Sequence, residues 1–249
     1  MKLSLIALAA VLSLAGCSAA PESTENIATV SQATHAWSTY RWAPTSGQLE
    51  VRINRNLSPV WEPYLAVAST DWSASSVLNT TVYQGFKNPK TCKPTFGQVE
   101  VCNASYGRNG WLGIAQIWLS GGYIVQGVVK LNDSYFNQAY YSVPAYRSLV
   151  TCQEVGHTFG LGHQDENQTN VNLGSCMDYS NHPAGNEHPN AHDYEQLELI
   201  YASAPSSPSV SDDAANEWGE HVSSREHSDE YIRRLGKNEF LVTHVFNAE

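Results

Sequence analysis

Positive charge is scarce in this chain: 14 Lys and Arg stand against 24 Asp and Glu, a formal net charge of −10 over 249 residues. Such a balance lacks the basic footprint that a phosphate backbone demands, so nucleic acid is excluded as a partner. Long hydrophobic runs are missing too. The most apolar stretch, Leu3 to Ala15, is 13 residues, short of the roughly 20 needed to span a bilayer. Methionine occurs only twice, once as the initiator, which draws attention to Met177. No internal repeat is visible, so a stacked-repeat architecture is not expected.

What is present begins with a processing signal. Lys2 precedes the apolar run, which ends in Leu14-Ala15-Gly16-Cys17. That ending resembles the lipobox of bacterial lipoprotein signal peptides: small residues for the peptidase, then a thiol to carry lipid. The resemblance implies removal of residues 1–16, acylation of Cys17 and anchoring of an exported domain to the bacterial cell envelope. Residues 17–45, polar and weakly patterned, are expected to form a tether. Four cysteines follow: Cys92, Cys102, Cys152 and Cys176. An even count in an exported chain suggests two disulfides among three possible pairings. Cys92–Cys102, closing a local loop, and Cys152–Cys176 are the favoured pairs.

Residues 46–202 carry the patterns of one α+β domain. Alternation predicts a strand at "LEVRIN", from Leu49. "LSPVWEPYLAVASTDW" repeats Trp61, Tyr64, Leu65, Ala68 and Trp72 at helical spacing. Strand-like runs follow at "VLNTTVYQG", "GQVEVCNAS", "WLGIAQIWL" and "YIVQGVVKLN", the last two close enough for a hairpin. Ser142 to Gly160 reads as a second helix, with Pro144 near its start. Asn190 to Ala202 reads as a third, with Asn190 as cap. "SAPSSPSVSDD" has linker composition, and the tail 203–249 ends in a sequence suited to a hairpin around Gly236-Lys237-Asn238.

The chemistry concentrates in "TCQEVGHTFGLGH", Thr151 to His163. Residues four apart on a helix share a face, so Gln153 and His157 can address one ion. Glu154 is placed to take a proton from water at that ion, and Gly160 permits the turn that returns His163 as a third ligand. Downstream, "GSCMDYS" supplies Met177 and Tyr179. The long motif and the methionine turn together resemble the metzincin zinc endopeptidases, and within them the matrixin branch. One ligand differs: Gln153 stands where the pattern has its first histidine.

The resemblance covers about Leu49 to Ala202 and implies a twisted mixed sheet, an active-site helix, a methionine turn and a C-terminal helix. It implies Zn2+ held by Gln153, His157 and His163, Glu154 as general base, Met177 as the floor under the metal, and Tyr179 near the oxyanion. It also implies that "YIVQGVVKLN" is an edge strand on which a peptide or protein substrate adds, with Gly127, Val128, Val129 and Lys130 near the cleft. An amide oxygen is a weaker zinc donor than imidazole. Three outcomes therefore stay open: Gln153 ligates, another donor such as His182, His188 or His192 replaces it, or the site is empty. The last would make the chain a non-catalytic surface lipoprotein that binds a peptide or protein partner. The oxygen-rich loop Gln164 to Asn172 could take calcium. A monomer is expected.

Overall fold

A computed structural model describes residues 34–204, 207–208, 217–225 and 227–248. The signal segment 1–16, Cys17 and the first part of the expected tether lie outside these residues. In chain order the described elements are β1 (Arg41–Trp42), β2 (Leu49–Asn56), α1 (Glu62–Trp72), β3 (Leu78–Gln84), β4 (Gln98–Ala104), β5 (Trp111–Ser120) and β6 (Tyr123–Asn132). Then come α2 (Asp133–Phe136), α3 (Pro144–His157), α4 (Ala191–Ala202), β7 (Glu220–Arg225), β8 (Ser228–Gly236) and β9 (Glu239–Asn247). Among the described residues the strands join into one mixed sheet, ordered β3-β2-β4-β6-β5-β9-β8-β7, with β1 alongside β6. Pairing is parallel from β3 to β6 and antiparallel from β6 to β7.

The α+β class and the hairpin of β5 and β6 follow the sequence patterns. Helix α1 begins later than its apolar repeat, because Ser58 to Trp61 forms a turn in which the Trp61 amide donates to the Ser58 carbonyl at 3.0 Å. Helix α4 is capped as expected, and Asn190 and Asp193 form a reciprocal capping box. Both favoured disulfides are formed, Cys92–Cys102 and Cys152–Cys176. Two bridges suit an oxidising, exported setting.

Two expectations are corrected. First, β6 is not an edge strand. Gly127, Val128, Val129 and Lys130 pair with Val99 to Cys102 of β4 on one side and with Ile117 to Ile114 of β5 on the other. Hydrophobic runs of similar length and composition do not reveal whether either hairpin strand lies at a sheet edge, and here neither does. Second, the expected tether ends too late. Trp37, Tyr40 and Trp42 are buried in the main core. The Trp37 amide donates to Gly160 O at 2.7 Å and the Trp42 indole to Thr158 O at 2.9 Å. Three aromatic rings in six residues offer more area for burial than a solvated tether can use. The sequence leaves open whether the tail docks on the domain, and here β9 pairs with β5 from Trp111 to Ser120, with β8 and β7 following it in the sheet.

Period-two alternation explains how β9 docks. Phe240, Val242, His244 and Phe246 point to the helix side, where the three apolar members join the main core. Val245, of opposite parity, packs with Trp111 and Ile114 on the other face. A strand buried on both faces is apolar at both parities, as "FLVTHVF" is apart from Thr243 and His244.

Candidate metal centre

Helix α3 packs over β5 and β6 and carries the first part of the site. Pro144 occupies its first turn, where a missing amide costs nothing. From Leu149 to His157 every residue is buried. Gly156 is required by its neighbours: a Cβ there would meet Trp72 Cζ2 at 2.7 Å and Met177 Sδ at 2.8 Å. Met177 therefore lies under the helix one residue before His157. After the helix, Gly160 adopts φ +97°, and a side chain there would collide with the Tyr40 carbonyl. That turn sends the chain back so that His163 faces His157.

The two imidazoles meet nitrogen to nitrogen, Nε2 to Nε2, at 3.0 Å. Each is oriented from behind: His157 Nδ1 lies 2.8 Å from Leu161 O, and His163 Nδ1 lies 2.8 Å from Glu166 Oε1. An acceptor on Nδ1 holds the proton there and turns the Nε2 lone pair towards the centre, the usual arrangement behind a metal ligand. The third imidazole comes from β9. Ligand atoms of His157, His163 and His244 all lie within 4.8 Å of one another. His244 had drawn no notice in the sequence; its signal was an imidazole at the same strand parity as Phe240, Val242 and Phe246.

The other anticipated residues gather around this trio. Glu154 is fully buried; Oε2 lies 3.4 Å from His244 Nδ1, and Oε1 has no hydrogen-bond partner. Burial pushes its carboxyl up to about 8, against an opposing pull from His157. The Tyr179 hydroxyl is 3.3 Å from His244 Nε2, and its ring stacks at 4.6 Å on His163 and 4.5 Å on Phe246. Burial and then Glu154 raise the phenol well above its ordinary value. All three histidines are shifted down by burial first, His244 to about 3, so they stand as neutral donors. Three neutral imidazoles, two of them braced from behind at Nδ1, fit zinc by donor chemistry.

Gln153 sits differently from these. Its amide nitrogen donates to the Cys176 carbonyl at 2.9 Å, and its oxygen is buried with no hydrogen-bond partner. It thus links the helix to the methionine turn beside the Cys152–Cys176 bridge. The histidines after that turn are not gathered here: His182 is exposed, His188 pairs with Asp71 at 2.7 Å, and His192 faces Glu195 at 3.7 Å. In the Gln164–Asn172 loop, Asp165 accepts from the Asn167 amide and the Asn170 side chain, and Asn167 accepts from Thr169. Of the two carboxylates in that loop, Asp165 is occupied by the loop's own donors and Glu166 by His163 and Arg225.

The trio is reached through a cavity of about 280 Å³. The residues 34–38 form one wall, and Ser223, Arg225, Ser228 and Glu230 of β7 and β8 form another. Arg225 Nη1 contacts Glu166 Oε1 at 3.2 Å, so the carboxylate that steadies His163 is itself held from the tail.

No protein-family model and no curated protein matches this sequence. Among solved structures, the chain is similar to high choriolytic enzyme 1, a hatching enzyme zinc-protease from Oryzias latipes (medaka fish). The two are 12% identical, and the match covers 66% of this chain and 95% of that one with a TM-score of 0.37.

Proposed function

We propose that this chain is an exported zinc-dependent peptidase, anchored to the cell envelope through lipid on Cys17, with His157, His163 and His244 as the metal ligands. The observation that carries this reading is the convergence of three buried imidazoles, two of them locked in the correct tautomer by Leu161 O and Glu166. Zinc held there would polarise a peptide carbonyl and make water a nucleophile near neutral pH. Glu154 takes the proton from the attacking water and returns it to the leaving amine. Its Oε2 is the oxygen on the side of the trio, 3.4 Å from His244 Nδ1, whereas Oε1 packs against Gly113 of β5. Tyr179, tied to His244, keeps the third ligand turned inward. Met177 and the Cys152–Cys176 bridge hold the floor against the helix.

Zinc content and turnover test this directly. The purified protein is expected to retain one zinc per chain and to hydrolyse peptides, and Glu154→Ala is expected to abolish hydrolysis with the metal retained. Protein that stays metal-free in excess zinc would overturn the reading. A non-catalytic surface lipoprotein is the second reading, favoured by the way β9 covers the edge of β5 that an extended substrate would use. It predicts that even zinc-loaded protein cleaves no peptide.

A further inference from the structure

Strand addition on β5 is closed in this molecule. From Trp111 to Ser120 its backbone pairs with β9, and from Gly113 to Ser120 it also pairs with β6. An extended peptide needs one free edge of unpaired amides and carbonyls, and β5 has none along this stretch. Displacing β9 would expose Phe240, Val242 and Phe246 to water and withdraw His244 from the trio. The side open to substrate is the cavity between residues 34–38 and β7–β8. Its 280 Å³ falls at the lower limit of small-molecule pockets, roughly 300–1,000 Å³. Both walls are fastened: Gly162 donates to His35 O, and β8 is laddered to β9 along most of its length.

The cavity wall carries two carboxylates, Glu166 and Glu230, and one guanidinium, Arg225, the group there that can receive an anion. Arg225 spends Nε on Ser223 at 3.5 Å and Nη1 on Glu166 at 3.2 Å, and its side chain is 62% exposed. A guanidinium carries five donors in a planar fork that matches a carboxylate. We infer that the site takes short peptides with a free α-carboxylate, received by Arg225 at the cavity wall, and not the interior of an extended chain. The inference rests on the peptidase reading of the trio and narrows its substrate class.

Binding separates the two. Full-length, zinc-loaded Glu154→Gln protein is titrated calorimetrically with trialanine, with trialanine amide, and with a decapeptide blocked at both ends. Trialanine is expected to bind about 10- to 100-fold tighter than its amide, the span of one hydrogen bond to a charged group. The blocked decapeptide is expected not to bind. Arg225→Gln, at an exposed side chain, is expected to erase the difference between acid and amide. Equal binding of acid and amide, binding of the decapeptide as tight as that of trialanine, or no binding of trialanine overturns the inference. Should the wild-type protein bind trialanine in this pattern yet never hydrolyse it, the peptidase reading fails and the substrate site stands.

Discussion

His244 and Glu154 lie 3.4 Å apart although 90 positions separate them in the chain. The carboxylate rides on α3 and the imidazole on the last strand of the sheet, so the site closes only when the tail has paired with β5. Folding of the C-terminal hairpin and assembly of the metal centre are therefore one event.

Removing the third imidazole should show this. His244→Ala is expected to weaken zinc binding by more than about 100-fold, beyond what loss of an outer partner of a ligand costs. Gln153→Ala should change affinity far less. Competition with a chromophoric chelator measures both. Equal losses in the two variants would put Gln153 on the metal beside the histidines.

Gln153 is expected to matter for stability instead. Its amide is the donor to the buried Cys176 carbonyl. Truncation to alanine strands that acceptor, at a cost of about 1–3 kcal/mol. Urea unfolding monitored by tryptophan fluorescence reads the change; an unaltered midpoint would deny the bond any weight.

Glu154→Gln keeps the shape of the side chain but cannot carry a proton. Turnover is expected to drop by roughly 10²–10⁴-fold, the usual worth of a positioned acid or base. Metal content should stay the same. A variant that cleaves at the wild-type rate would remove Glu154 from the chemistry.

The docking of β9 is expected to be a large share of domain stability. Phe246 is buried and packs on Tyr179 at 4.5 Å. Phe246→Ala should cost about 3–5 kcal/mol, as for other buried aromatic truncations. It should also lower zinc affinity, since Tyr179 contacts His244. Calorimetric melting with and without zinc tests both parts, and a change under 1 kcal/mol (; ordinary for an exposed site) would mean the tail is only loosely held.

Loss of the Cys152–Cys176 bridge, which closes a 24-residue separation, is expected to cost about 3 kcal/mol through the unfolded chain. Because the bridge also joins helix α3 to the methionine turn, the double serine variant should bind zinc more weakly. Unchanged affinity would reduce it to an ordinary staple.

By itself the sequence determined what depends on neighbours along the chain. Helical spacing placed His157 on α3, Gly160 made the turn that returns His163, and Asn190 set the start of α4. Cysteine spacing in an exported chain was enough to favour the two bridges, and alternation marked β5, β6 and the final hairpin. Tertiary structure alone decided the remainder. Which strands flank the β5–β6 hairpin, how residues 35–42 clamp the end of α3, and which donor joins His157 and His163 all depend on pairings between distant segments. Backbone hydrogen bonds are the same for any residues, so the choice of partner falls to the burial of whole faces. That choice carried His244 to the centre from a strand whose local pattern says only that it is buried.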